Sequence, residues 1–293
     1  MEAGREQPST KQSALTPPWV AKLYRTGLWT GSALAASALM STPTRGIARV
    51  AAAAARRGTL QAKPNVVLVH GAATDGSSWK LVIERLQAAG HNVTAVQLDL
   101  ASLPGDIATT RAVLAGQNGP TVLVGHSYGG AVITGAGTDS PNVISLVYVA
   151  AFAPDQGESP VDAVASFPQA PGFSHFVPDY RQGFVRLDPV AYPQYFMQYV
   201  DTVEARALAV TQKPAGRALF TAKSGPPAWR KLPTWYLVAE DDRMINPDAE
   251  RKMATRMTAI TILLRGSSHA AMFRHADEIV ASIKAASLIS ARA

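Results

Sequence analysis

Cysteine is absent from all 293 residues, which excludes disulfide frameworks, thiolate zinc and iron-sulfur sites, and a cysteine nucleophile. Covalent chemistry, if the chain performs it, falls to another atom. Acidic residues are missing from Gln7 to Thr74. The one weakly polar stretch in that region, Gly27 to Met40, falls short of the ~20 apolar residues that a bilayer crossing needs. Neither a phosphate-binding glycine loop nor a dinucleotide fingerprint occurs, and no metal-ligand cluster stands out, so no cofactor and no metal are expected. What remains is 47% apolar residues with 7% aromatics, the composition of a globular domain with a sizeable core.

The net charge of +7 invites a nucleic-acid or anionic-membrane reading, and its distribution argues against one. Residues 1 to 63 hold nine Lys and Arg against Glu2 and Glu6, so the remaining 230 residues balance to zero with 19 basic and 19 acidic groups. The charge is thus a property of the N-terminal stretch. Lys22 and Arg25 ahead of Gly27 to Met40, in a segment rich in Ser, Thr and Ala, predict a leader over 1–63 that directs export, with a disordered tail of a cytoplasmic protein or an organelle transit peptide as the alternatives. No nucleic-acid partner and no stable membrane span are expected.

From Pro64 onward, short apolar runs alternate with stretches of helical spacing. Strands are predicted over 65–70, 93–98, 121–125, 144–150, 234–239 and 259–264, and helices over 77–89, 106–115, 128–137, 248–257 and 273–286. The strands are continuously apolar rather than alternating, as when helices cover both faces of a parallel sheet. This is the pattern of a doubly wound α/β domain, in which ligands sit beyond the carboxyl ends of the strands. One interval breaks the rhythm, because residues 154–232 are too long for a simple loop. They hold 11 of the 21 aromatic residues, with eight basic and seven acidic groups, and read as an inserted cap over an apolar ligand.

The run Thr121–Val124 leads directly into Gly125-His126-Ser127-Tyr128-Gly129-Gly130, a Gly-x-Ser-x-Gly between a strand and a helix. That context presents Ser127 as a nucleophile on a tight turn at a helix N-terminus, where the flanking glycines remove steric collisions. A serine needs a base, oriented in turn by a carboxylate. Of six histidines, His269 follows the final strand in a loop that can reach over the sheet, with His275 as the fallback. The acid is expected at Asp242, after the run 234–239, with Asp155 after the fourth strand as its rival. Glu240 and Asp241 are read as partners of Arg243 or as solvated neighbours. Oxyanion donors are expected from the backbone N–H groups of Tyr128 and, by offset in the loop His70-Gly71-Ala72-Ala73, of Ala72. Asp75, Ser77 and Trp79 read as a turn, a helix cap and a core aromatic.

Val69-His70-Gly71-Ala72 with Ser78-Trp79, Gly125 to Gly130, Asp242-Arg243-Met244-Ile245-Asn246-Pro247 and Ser268-His269 together resemble the α/β-hydrolase superfamily. Within it they are similar to the small serine esterases grouped with plant methylesterases and hydroxynitrile lyases, over Pro64 to about Leu288. The resemblance implies a mostly parallel, doubly wound sheet with an inserted helical cap, a Ser-His-Asp triad and no cofactor. The lyases carry a lysine after the histidine and a threonine at the second position of the first loop. Here Ala270 and Gly71 stand instead, which disfavours lyase chemistry. The expected activity is hydrolysis of small uncharged esters. Carbon-carbon bond hydrolysis or perhydrolysis by the same triad, and a ligand-binding protein without catalysis, stand as alternatives.

Overall fold

Six β-branched and apolar runs assemble one parallel sheet in the computed structural model, which describes residues 63–289. The leader expected over residues 1–63 lies, but for Lys63, outside the described residues. The strands are β1 (Asn65–Val69), β2 (Val93–Val96), β3 (Thr121–Ser127) and β4 (Val143–Ala151), with β8 (Thr234–Ala239) and β9 (Ile260–Leu264) after the insertion. Their order is β2-β1-β3-β4-β8-β9, every pair parallel. Alternate side chains go to opposite faces of a strand, and both sets are buried here. Val67, Val69, Leu123, Leu146, Tyr148 and Tyr236 join one core, while Val66, Leu68, Val122, Val124, Val147 and Leu237 join the other.

Helix α1 (Lys80–Ala88) and the C-terminal helix α6 (Ala276–Ile289) pack together on one side of the sheet. Helices α2 (Leu103–Ala115) and α3 (Tyr128–Ala136) pack together on the other. Local chemistry sets their starts. Ser102 accepts the Gly105 N–H at 3.3 Å ahead of α2, and Asn246 accepts the Asp248 N–H at 2.9 Å ahead of α5 (Pro247–Arg256), each with proline in the first turn.

Three expectations are corrected. The run 259–264 is not a buried strand. As β9 it is an edge with Ile260 51% and Leu263 47% exposed, because an edge strand has a neighbour on one side only. The helix expected over 273–286 is broken at His275, between a short turn Ala271–Arg274 and α6. Finally, residues 154–232 are more than a helical cap. Besides a short helix, Pro160–Val164, and α4 (Thr202–Thr211), they carry a three-stranded antiparallel sheet of β5 (Phe176–Pro178), β6 (Phe184–Leu187) and β7 (Ala215–Gly216). Four residues or fewer per strand leave too little alternation to separate a strand from a loop.

The sheet places the functional loops. The chain runs from β1 outward to β2, then returns to the far side of β1 as β3, so β1 and β3 are neighbours whose connections leave in opposite directions. Such a switch point opens a crevice at the carboxyl ends of the two strands. The loop His70–Ala73 and Ser127 stand there.

Candidate active site

Ser127 closes β3 with φ 52° and ψ −123°, a positive φ that a side chain adopts only where the surroundings enforce it. The sharpness of the turn is visible at Gly125, where a Cβ would stand 2.6 Å from the Gly129 carbonyl oxygen. At Gly71 a Cβ would stand 2.7 Å from the Ser127 Cβ. The first loop can therefore approach the serine this closely only without a side chain. Ser127 immediately precedes α3, so its hydroxyl lies where the unpaired N–H groups and the dipole of a helix favour negative charge.

The Ser127 Oγ lies 2.8 Å from His269 Nε2, and His269 Nδ1 lies 2.6 Å from Asp242 Oδ2. All three residues are buried, at 6%, 1% and 5% exposure. A carboxylate offers only acceptors, so Nδ1 carries the imidazole proton and Nε2 presents its lone pair to the serine hydroxyl. Asp242 is held in turn, its Oδ1 accepting the Met244 and Ile245 N–H groups at 2.6 and 2.9 Å. The three residues thus form one chain of hydrogen bonds. Asp155 stands elsewhere, paired with Arg230 at 2.5 Å and accepting the Gln156 N–H. His275 bonds Glu278 at 3.1 Å. Arg243 donates to the Gln194 carbonyl and not to its acidic neighbours, Glu240 pairs with Arg251, and Asp241 accepts the Tyr199 hydroxyl.

Neutral histidines frame this chain. His70 donates through Nδ1 to the Gly71 carbonyl at 2.8 Å and accepts the Leu98 N–H on Nε2 at 3.0 Å, and burial lowers it to about 4. His126 donates from Nε2 to the His269 carbonyl oxygen at 2.9 Å. Burial first, and then the closeness of His269, beside which a cationic ring would be disfavoured, keep its ring well below the usual histidine range. Below them, Tyr128 donates its hydroxyl to Asp106 at 2.9 Å, and Asp106 also accepts the Leu100 N–H. Asp75 accepts the Ser77 N–H and Trp79 is fully buried, the cap and core roles expected of them.

Ala72 lines the pocket at Ser127, together with phenyl rings from Phe152, Phe173, Phe176, Phe196 and Phe220. Four of those five rings come from the insertion. Phe196 stands edge-on to the His269 ring at a centroid distance of 4.8 Å, while Phe173, Phe176 and Phe220 lie 5.3 to 5.5 Å from one another. The space directly at Ser127 is only about 10 Å³. Sharing Phe152, Phe173, Met244 and Ile245 with this pocket is a cavity of about 220 Å³ whose lining has no charged side chain.

One buried residue at the site escapes the sequence reading. Glu250, on α5, is wholly excluded from solvent, and a glutamate eight positions after Asp242 reads as a solvated helix residue. The available signal is its place on the stripe Ala249, Glu250, Met253 and Ala254, the four buried positions of α5.

Residues 66–282 match the Alpha/beta hydrolase family. Methylesterase 8 of Arabidopsis thaliana is 27% identical over 236 residues, which cover 72% of this chain and 85% of that protein. A carbendazim hydrolyzing esterase of Nocardioides sp. (strain SG-4G) is 42% identical over 108 residues, covering 32% of this chain and 45% of the other. Among solved structures, a pyrethroid hydrolase from Sphingobium faniae JZ-2 superposes with a TM-score of 0.66 at 20% identity, covering 78% of this chain and 99% of that one. At that identity the likeness is one of fold.

Proposed function

Because the chain belongs to the alpha/beta hydrolase family, we propose that it is a serine carboxylesterase acting on small, uncharged, apolar esters. The observation that carries this reading is the pair of hydrogen bonds, 2.8 and 2.6 Å, linking Ser127 through His269 to Asp242. As Ser127 Oγ attacks the ester carbonyl, its proton passes to His269 Nε2, and Asp242 stabilises the imidazolium. The N–H groups of Ala72 and Tyr128 hold the oxyanion. The tetrahedral intermediate collapses by breaking the bond to the alkoxy oxygen, which leaves as the alcohol with the proton from Nε2. Water then attacks the acyl-serine with His269 again as base, releasing the acid and restoring Ser127. The curated relatives include a methylesterase and a second esterase, which supports ester hydrolysis as the reaction class. The phenyl-lined pocket supports an apolar substrate, and the uncharged cavity that shares its lining offers room for one larger arm.

Replacing Ser127 by Ala is expected to lower kcat on p-nitrophenyl butyrate on the order of a millionfold, and to abolish labelling by a fluorophosphonate. Hydrolysis at the parental rate would refute the assignment. A panel varying acyl and alcohol length separately tells which arm the larger cavity accepts. Residues 1–63 are proposed as an export leader on composition alone. Recovery of the protein outside the cytoplasm with a processed N-terminus tests that proposal.

A further inference from the structure

Helix α5 turns one carboxyl group into the core behind the hydrogen-bonded chain of Ser127, His269 and Asp242. Glu250 Oε2 accepts the Ala239 N–H at 3.1 Å, while Oε1, fully buried, meets no N–H or hydroxyl donor. Its neighbour there is Asp242, whose own N–H donates to the Ala239 carbonyl at 3.2 Å while Glu250 takes the Ala239 N–H, so the two acids gather at one residue. Two buried carboxylates offer one another only lone pairs and repel as anions, so a proton held on one of them relieves the pair. Asp242 already receives three donors, the Met244 and Ile245 N–H groups and His269 Nδ1, which together stabilise it as an anion. Glu250 receives one backbone donor.

We infer that Glu250 is a positioning residue of the triad, a neutral carboxylic acid whose O–H donates to Asp242 and fixes that carboxylate toward His269. This rests on the reading of Ser127, His269 and Asp242 as catalytic. The surroundings support it. Asp242 faces Glu250 from the loop after β8. Tyr236 faces it from β8 with its own hydroxyl kept neutral by burial and donated to the Ala151 carbonyl. Arg251, the next residue on the same helix, is engaged by Asp248 and Glu240. Burial and the Asp242 charge push the Glu250 carboxyl well above the usual glutamate range, outweighing the Ala239 N–H and Arg251.

Two variants and one spectrum test the inference. Glu250→Gln keeps the shape and an N–H donor but cannot ionise, and Glu250→Leu keeps bulk without a donor. The Gln variant is expected to hold kcat/KM within about threefold, with the acid limb of its pH profile unmoved, since that limb reports the base in the free enzyme. The Leu variant is expected to lose roughly ten- to a hundredfold, and its acid limb should move to higher pH as an unsupported Asp242 holds the imidazolium more tightly. Infrared spectra of enzyme labelled with ¹³C at the glutamate carboxyl should contain, at neutral pH, a protonated C=O band that the Gln variant lacks. This readout needs neither activity nor a folded Leu variant. A Gln variant as impaired as Leu, a Leu variant with parental rate and profile, or a Glu250 band of purely carboxylate character would each overturn the inference. If Ser127→Ala kept full activity, the catalytic reading would fall instead, and the infrared band would still report the Glu250 proton.

Discussion

The ring of His70 is tied at both nitrogens, donating to Gly71 and accepting from Leu98, and a second proton would break the latter bond. Its folded value lies below the unfolded one, so under acid the unfolded chain takes up a proton that the folded ring refuses. Stability is full above the ordinary histidine value of about 6.5 and is lost as pH falls toward about 4. Urea unfolding of the parent and of His70→Gln at pH 7 and 4.5 should show the parent losing up to ~3 kcal/mol more across that interval. Glu250 has the opposite sign. Its folded value is raised, so stability is greatest below the ordinary glutamate value and declines above it, and Glu250→Gln should gain in Tm over the parent as pH rises above that value. The placement of Ser127, His269 and Asp242 was legible in the sequence because each stands at or after a strand end, and strand ends are recognisable from apolar runs. Glu250 was not, since burial of a helix carboxylate depends on which face packs inward.

Among elements, the loop after β1 has little freedom. An added methyl at Gly71 would meet Ser127 Cβ at 2.7 Å and His126 Nδ1 at 3.0 Å, and both belong to a strand end that cannot retreat. Gly71→Ala is expected to cost about 1–3 kcal/mol in stability and on the order of a hundredfold in kcat, because displacement of the nucleophile by even part of an ångström is felt in the rate. Denaturant melts and steady-state kinetics on the same preparation check both figures. The central strands were readable because both faces are covered and most positions are apolar. Period alone did not tell the edge strand β9 from a buried one, because exposure at an edge is decided by the absence of a neighbour. The small sheet of the insertion was hidden for a different reason, as β7 has only two residues, Ala215 and Gly216.

At the scale of the molecule, the described residues 63–289 carry a two-sided core, and the charge excess lies in residues 1–63. A chain beginning at Gln61 is expected to melt at the parental Tm and hydrolyse the same esters at the same rate, as thermal unfolding and a p-nitrophenyl butyrate assay would reveal. Five phenyl rings roof the serine and leave about 10 Å³ above it. A hydroxyl so roofed is reached by a hydrocarbon-bearing molecule more readily than by bulk solvent, and the same preference holds in the second half-reaction. Short alcohols should then compete with water for the acylated serine well beyond their molar share, so that in dilute methanol or ethanol the protein would exchange esters as well as cleave them.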